Sequence, residues 1–270
     1  MILNPIWRPL MSNEEKQITI YDNEGHLVYR GESFESKANG IGTQYYKSGS
    51  VCYEGEWRDD RRNGLGTSYY ESGPVKYKGE WKDGNRNGQG TIYFENGNVK
   101  YEGTWKNSKR NGRGTAYYED GTIWYKGEWI DDKRNKQGTA YYENGSVWYE
   151  GEWKDNFPEG QGSFYYQDGS VYSGEVHNGM MHGEGVVYFG DAKMLIIDNS
   201  EENQKEYPED SYEGHWKNGK ICGHGIMRYS DGRTYDGEWA ECKRNGHGIL
   251  YNPDGTIEYE GEWKDGKPVE

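Results

Sequence analysis

Tyr77-Lys78-Gly79-Glu80-Trp81-Lys82-Asp83-Gly84-Asn85-Arg86-Asn87-Gly88-Gln89-Gly90-Thr91-Ile92-Tyr93-Phe94-Glu95-Asn96-Gly97-Asn98-Val99-Lys100 is one period of a pattern that fills the chain. It holds two strand signals, Thr91–Phe94 and Val99 onward through the next Tyr-x-Gly-x-Trp, both rich in aromatic and β-branched residues. Between them lies Glu95-Asn96-Gly97. Asn-Gly and Asp-Gly are strong hairpin signals because the turn needs positive φ. After Trp comes a polar stretch ending in Gly-x-Gly, read as the longer loop. The unit is therefore expected to run strand, tight turn, strand, longer loop.

Working outward, Tyr-x-Gly starts at Tyr29, Tyr53, Tyr77, Tyr101, Tyr125, Tyr149, Tyr172, Tyr212, Tyr235 and Tyr259. The first six starts are 24 residues apart, followed by spacings of 23, 40, 23 and 24. Such self-similarity is the signature of a repeat architecture, in which neighbours bury what one unit cannot. In an extended strand side chains alternate, so Tyr149, Gly151 and Trp153 share one face and Glu150 and Glu152 the other. Gly151 leaves a gap that a ring from the neighbouring strand is expected to cover. Repetition turns this into an aromatic ladder that replaces an aliphatic core. The composition agrees, with 26 Tyr, 41 Gly and only 32% hydrophobic residues, against roughly 45–50% in ordinary domains.

These residues and their spacing resemble the MORN repeat family, whose pattern runs YxGxWxxGxxxGxGxxxxxxG. The resemblance covers about residues 19–263. It implies an all-β fold, an elongated single-layer antiparallel sheet of about ten stacked β-hairpins. In most units the motif Tyr lies four residues after the turn Gly, as Gly145 to Tyr149, which looks like the bacterial MORN variant. In Gly169–Tyr172 and Gly232–Tyr235 the separation is three, the commoner spacing. A one-residue change should flip every following side chain, so a bulge or an altered turn must absorb it. The reading places an N-terminal arm at residues 1–16 and a repeat array at 17–270, interrupted by an insertion at about 190–211.

No catalytic constellation stands out. The histidines have no metal spacing, the Gly-x-Gly segments read as turns, and no phosphate-binding loop is present. Glu54/Glu56, Glu150/Glu152 and Glu260/Glu262 read as a solvated face, because a repeat gives every copy nearly the same environment while catalytic carboxylates need different ones. We therefore expect no enzyme, no cofactor and no metal site. Net charge of −14 disfavours nucleic acid and, more weakly, acidic phospholipid. Three cysteines without CxxC, and no signal-peptide pattern or apolar run of membrane-spanning length, point to the cytoplasm.

The expected function is a non-catalytic interaction scaffold for a protein partner. Its expected contact residues are the rings Tyr53, Trp57, Tyr77, Trp81, Tyr101, Trp105, Tyr125, Trp129, Tyr149 and Trp153, and the aliphatic stretch Met194, Leu195, Ile196 and Ile197 of the insertion. Packing is the competing role for the rings. A row of Arg61/Arg62, Arg86, Lys109/Arg110, Lys133/Arg134 and Lys243/Arg244 could meet phosphates or acids, with compensation by the Asp residues just before it as the alternative. The row breaks at Phe157-Pro158 and Met180-Met181, an apolar patch that reads equally as contact surface or loop packing. Alternatives to the scaffold are a phospholipid-surface module, a carbohydrate or cell-wall binder, and an antitoxin-like role suggested by labels in the bacterial variant. Exposed end strands also allow an edge-strand homodimer.

Overall fold

A computed structural model describes residues 16–190 and 210–270, which form strands joined by short connections with no helix among them. The chain divides into two compact units, Met1–Thr122 and Ile123–Glu270. In the first unit the strands are β1 Lys16–Tyr21, β2 Leu27–Phe34, β3 Lys37–Tyr45, β4 Val51–Arg58, β5 Arg61–Tyr69, β6 Val75–Lys82, β7 Asn85–Tyr93, β8 Val99–Lys106 and β9 Lys109–Tyr117. The second unit holds β10 Ile123–Ile130, β11 Lys133–Tyr141, β12 Val147–Lys154, β13 Phe157–Tyr165, β14 Val171–His177 and β15 Met180–Tyr188. It continues with β16 Ser211–Lys217, β17 Lys220–Arg228, β18 Thr234–Ala240, β19 Lys243–Tyr251, β20 Ile257–Lys264 and β21 Lys267–Pro268. Within each unit every strand pairs antiparallel with the next in sequence, giving a single-layer sheet of hairpins, as the repeat predicts.

The two connections exchange the roles expected of them. After Trp the chain turns in two residues, Asp59-Asp60 between β4 and β5, both at positive φ (48° and 63°). That is the primed turn that suits twisted strands, and Asp tolerates the left-handed region. The Gly-containing connection is the longer one. In Tyr46–Ser50, Gly49 N–H donates to Tyr46 O at 2.9 Å and Tyr46 N–H to Ser50 O at 2.9 Å, with Gly49 at φ 87°. The Gly-x-Gly stretch, expected as loop, is strand: Gly66 of β5 faces Gly55 of β4.

The spare residue of the 24-residue unit is a bulge. Tyr69 pairs with Val75 and Ser68 with Tyr77, so Lys76 has no partner. Cys52, Lys100 and Trp148 stand at the same point in their hairpins. In the 23-residue unit Tyr165 pairs with Val171 and Phe164 with Tyr172, and the shift is absent. A second irregularity recurs in every hairpin: between Gly55↔Gly66 and Trp57↔Arg62, Glu56 alone faces Asn63, Gly64 and Leu65.

The core is the ladder. Tyr53 and Trp57 meet edge to face at 5.3 Å, and Tyr53 meets Trp81 of the next hairpin at 5.3 Å. Tyr212 does the same with Trp216 and Trp239, at 5.4 Å each. Each such pair adds ~0.5–1.5 kcal/mol beyond burial. The polar ends are satisfied: Tyr53 Oη donates to Glu56 O at 3.0 Å, and Trp57 Nε1 donates to Gly42 O at 3.0 Å. The ring that covers the glycine gap belongs to the strand itself, not to its neighbour. Tyr53 lies along its own strand over the Gly55–Gly66 pair, where a Cβ on Gly66 would land on Tyr53 Oη.

Candidate functional site

The ten rings expected to touch a partner form the floor of this face. Tyr53, Tyr125 and Tyr149 are 0% exposed, and the most exposed of the ten, Trp57, is 9%. Packing fills their surfaces. What stands above them is a layer that the sequence reading assigned elsewhere.

That layer is made first of arginines. Trp57 pairs across the strand with Arg62, so both project from one face. The Arg62 guanidinium lies 4.8 Å from the Tyr53 ring centre and 5.2 Å from that of Trp81 in the next hairpin. Arg86 lies 4.1 Å from Trp105, Arg134 4.1 Å from Trp153, and Arg244 4.1 Å from Trp263. Each also donates at 2.9 Å to a carbonyl of the following turn, at Ser108, Asn156 and Gly266. A planar cation on an aromatic face is worth ~0.5–2 kcal/mol, more as water is excluded.

The basic row is therefore split. Arg62, Arg86, Arg110, Arg134 and Arg244 stack on the ladder, while Lys133 and Lys243 pair on the other face with Asp155 (3.1 Å) and Asp265 (3.5 Å) of the next hairpin. For these two lysines the partner belongs to the following repeat. The signal was present as an Arg-to-Trp spacing of 19 residues: 62 to 81, 86 to 105, 134 to 153, 244 to 263. It also explains part of the break. In the hairpin before the one where Trp is replaced by Val176, the arginine position opposite Trp153 is taken by the buried Pro158. Met181 and Ile221 occupy the same position as the arginines, opposite Val176 and Trp216, so they belong to packing. Phe157 and Met180 project from the opposite face, 57% and 43% exposed.

The bulges supply the rest of the layer. Trp148 lies 6.0 Å from Trp153 and Trp124 6.1 Å from Trp129, which puts bulge residues on the ring face. In the first unit the bulge residues are Cys52, Lys76 and Lys100. Cys52 accepts a hydrogen bond from Arg62 Nη2 at 3.3 Å. Lys76 and Lys100 are exposed, with Nζ 5.4 Å from the Tyr70 ring and 5.1 Å from the Phe94 ring. The ring face of the first unit thus carries five cations: Arg62, Lys76, Arg86, Lys100 and Arg110.

The repeated glutamates share the opposite face as expected, but they do different things. Glu56 Oε1 accepts the Leu65 N–H at 2.8 Å, and Glu80 and Glu152 accept those of Gln89 (2.8 Å) and Gln161 (3.2 Å), closing the Gly-x-Gly bulge. Glu54 accepts from the Tyr69 hydroxyl at 2.9 Å. Three histidines there pair with carboxylates, His177 with Glu159, His215 with Glu184 and His224 with Asp236. Among the described residues no three His, Cys, Asp or Glu side chains gather as a metal site requires. Met194, Leu195, Ile196 and Ile197 lie outside the described residues, as does the arm up to residue 15.

The family model described as MORN repeat matches residues 29–51, 53–75, 77–99, 101–123, 125–147, 149–171, 172–192, 212–232, 235–257 and 259–269. Among curated proteins, Alsin from Homo sapiens and from Mus musculus is 37% identical over 74 residues, and Alsin from Rattus norvegicus 38%. Those matches cover 23% of this chain and 4% of Alsin, so they concern one short stretch of a much longer protein. Among solved structures, the E1021V mutant of the TCP10 domain of Danio rerio CPAP covers 91% of this chain and 99% of its own at 13% identity. Its TM-score is 0.27, a likeness that carries no argument.

Proposed function

The chain belongs to the MORN repeat family, and we propose on that premise that it is a non-catalytic scaffold whose ring face takes an acidic segment of a protein partner. The carrying observation is the arrangement of the cations. Arg62 and Arg86 are held over rings and tied to neighbouring polar groups. A guanidinium has five donors in a rigid fork, and Arg62 and Arg86 are half-buried, so part of each stays open to solvent. Preorganised cations lose little side-chain entropy when a carboxylate arrives. Lys76 and Lys100 flank them and extend the positive strip. A polypeptide laid across these hairpins would meet Arg62, then the pairs Lys76/Arg86 and Lys100/Arg110.

An anionic membrane could use the same strip, although the net charge of −14 opposes approach to it. The two cases separate experimentally. The charge reversals Lys76→Glu and Lys100→Glu alter exposed bulge positions and leave the ladder intact. We expect the wild-type chain to retain a protein from its native extract, and the double variant to lose that protein while its circular dichroism is unchanged. Retention of the same protein by both forms would sink the reading. Binding to phosphatidylserine vesicles in place of any protein would transfer it to the membrane.

A further inference from the structure

We propose that Cys222 and Cys242 form a dithiol site, which a low-molecular-weight disulfide converts to a disulfide bridging two neighbouring hairpins. Cys242 is the second residue of the β18–β19 turn, at φ 63°. Its N–H donates to Ile221 O at 3.1 Å. The carbonyl of Ile221 is bonded directly to the nitrogen of Cys222. Standard bond lengths then keep the two cysteine Cα atoms no more than about 7 Å apart. Disulfides span ~4.4–6.8 Å between Cα atoms.

The other repeats show where side chains at these two positions go. Asp60 stands where Cys242 does, and its carboxylate accepts the Ala38 N–H at 2.7 Å. Asn156 at the same position accepts from Arg134 N–H at 2.9 Å. So this turn residue reaches back to the previous hairpin. Asn39 stands where Cys222 does, and its Oδ1 accepts the Asp59 N–H at 3.3 Å. Glu159 there accepts from Asn178 N–H at 2.9 Å. So this strand residue reaches forward to the next turn. The two side chains cross one junction from opposite sides, and only in this junction are both of them cysteines.

Burial and charge agree. Burial does most to hold the proton on the Tyr212 hydroxyl, and Cys222 and Cys242 both add to that effect, which places both of them near it. Cys242 is exposed and Cys222 half-buried, so an oxidant meets Cys242 first. Lys243 follows it directly, and Lys220 pairs with the adjacent Glu241.

The chemistry balances with glutathione disulfide as oxidant. The Cys242 thiolate attacks one glutathione sulfur and breaks the S–S bond. One glutathione leaves as thiolate and takes up the proton that Cys242 released. The Cys222 thiolate then attacks the Cys242 sulfur, and the second glutathione leaves with the proton from Cys222. Two protein thiols are oxidised and one disulfide is reduced to two thiols.

The test uses the full chain and glutathione disulfide, with free thiols counted and peptides mapped by mass. Titratable thiols should fall from three to one per chain, leaving Cys52, with residues 222 and 242 in one linked peptide pair. Cys242→Ser, checked as folded by circular dichroism, should give no linked pair and keep at most one glutathione, on Cys222. Wild-type chain that retains three thiols would overturn the proposal. So would separate glutathione adducts on Cys222 and Cys242 that do not resolve to a link.

Discussion

Lys136 is the residue at which this repeat departs most from its own rule. It occupies the left-handed point of the Gly-x-Gly bulge at φ 55°, where the other hairpins place Gly, as Gly64 at 59° and Gly160 at 75°. An L-residue held there costs ~1–2 kcal/mol. Its ammonium recovers a part by pairing with Glu128 at 3.3 Å, but Lys136 is well exposed, and such pairs are worth ~0–1 kcal/mol. Lys136→Gly removes the strain and leaves Glu128 to accept the Gln137 N–H, as Glu152 accepts that of Gln161. We expect a gain of about 0.5–1 kcal/mol, because relief of the left-handed penalty outweighs the exposed pair. Urea unfolding checks it through a higher midpoint at unchanged slope; a lower midpoint would show that the pair dominates.

At the scale of the hairpin, the bulge and the motif differ in what they tolerate. Lys76 has no cross-strand partner, and β13–β14 shows the same hairpin built without that residue. Deleting Lys76 should therefore leave the far-UV spectrum unchanged and move the thermal midpoint by only a few degrees, the effect of about 1 kcal/mol. Deleting Glu80 is different. It lies between Gly79 and Trp81, and its loss turns Trp81 to the opposite face. Trp81 would leave its contacts with Tyr53 and Tyr77, at a cost of ~3–5 kcal/mol. If the two deletions were equally harmful, the bulge would not be what absorbs the extra residue.

The same scale shows what could be read in advance. Strand identity, antiparallel order and the ring face follow from period-two alternation, and Tyr149, Gly151 and Trp153 do share a face with the partner glycine opposite. The exchange of short and long connections was hidden because both can carry the same signal: Asn96-Gly97 marks the longer connection and Asp83-Gly84 the two-residue turn, which Asp59-Asp60 makes without any glycine. The split of the basic row was hidden because adjacent residues in a strand face opposite ways. Arg61 and Arg62 look like one cluster in sequence and belong to two surfaces in the fold. The layer above the rings was legible only through a long-range spacing between different residue types, Arg to Trp across 19 residues.

For the molecule as a whole, a core built of phenol and indole has a consequence that an aliphatic core lacks: the core can ionise. Burial pushes the hydroxyls of Tyr29 and Tyr235 up to about 12 from a usual value near 10, and drives those of Tyr53, Tyr77, Tyr149 and Tyr212 higher still. The folded state therefore holds these protons more tightly than the unfolded chain. By linkage, their contribution to stability is complete below about pH 10 and shrinks as the unfolded chain's tyrosines begin to ionise. It is lost as pH climbs through the folded-state values, from about 12 for Tyr29 and Tyr235. Because the ladder repeats in both units, the effect recurs hairpin by hairpin and each unit should lose its structure within that window. An alkaline titration followed by tyrosinate absorbance and circular dichroism checks this. We expect the absorbance to reach the amplitude of all 26 tyrosines only once the β-sheet signal has gone. Full ionisation near pH 10 with the sheet intact would mean that the phenols are hydrated, and that something other than the ladder holds the hairpins together.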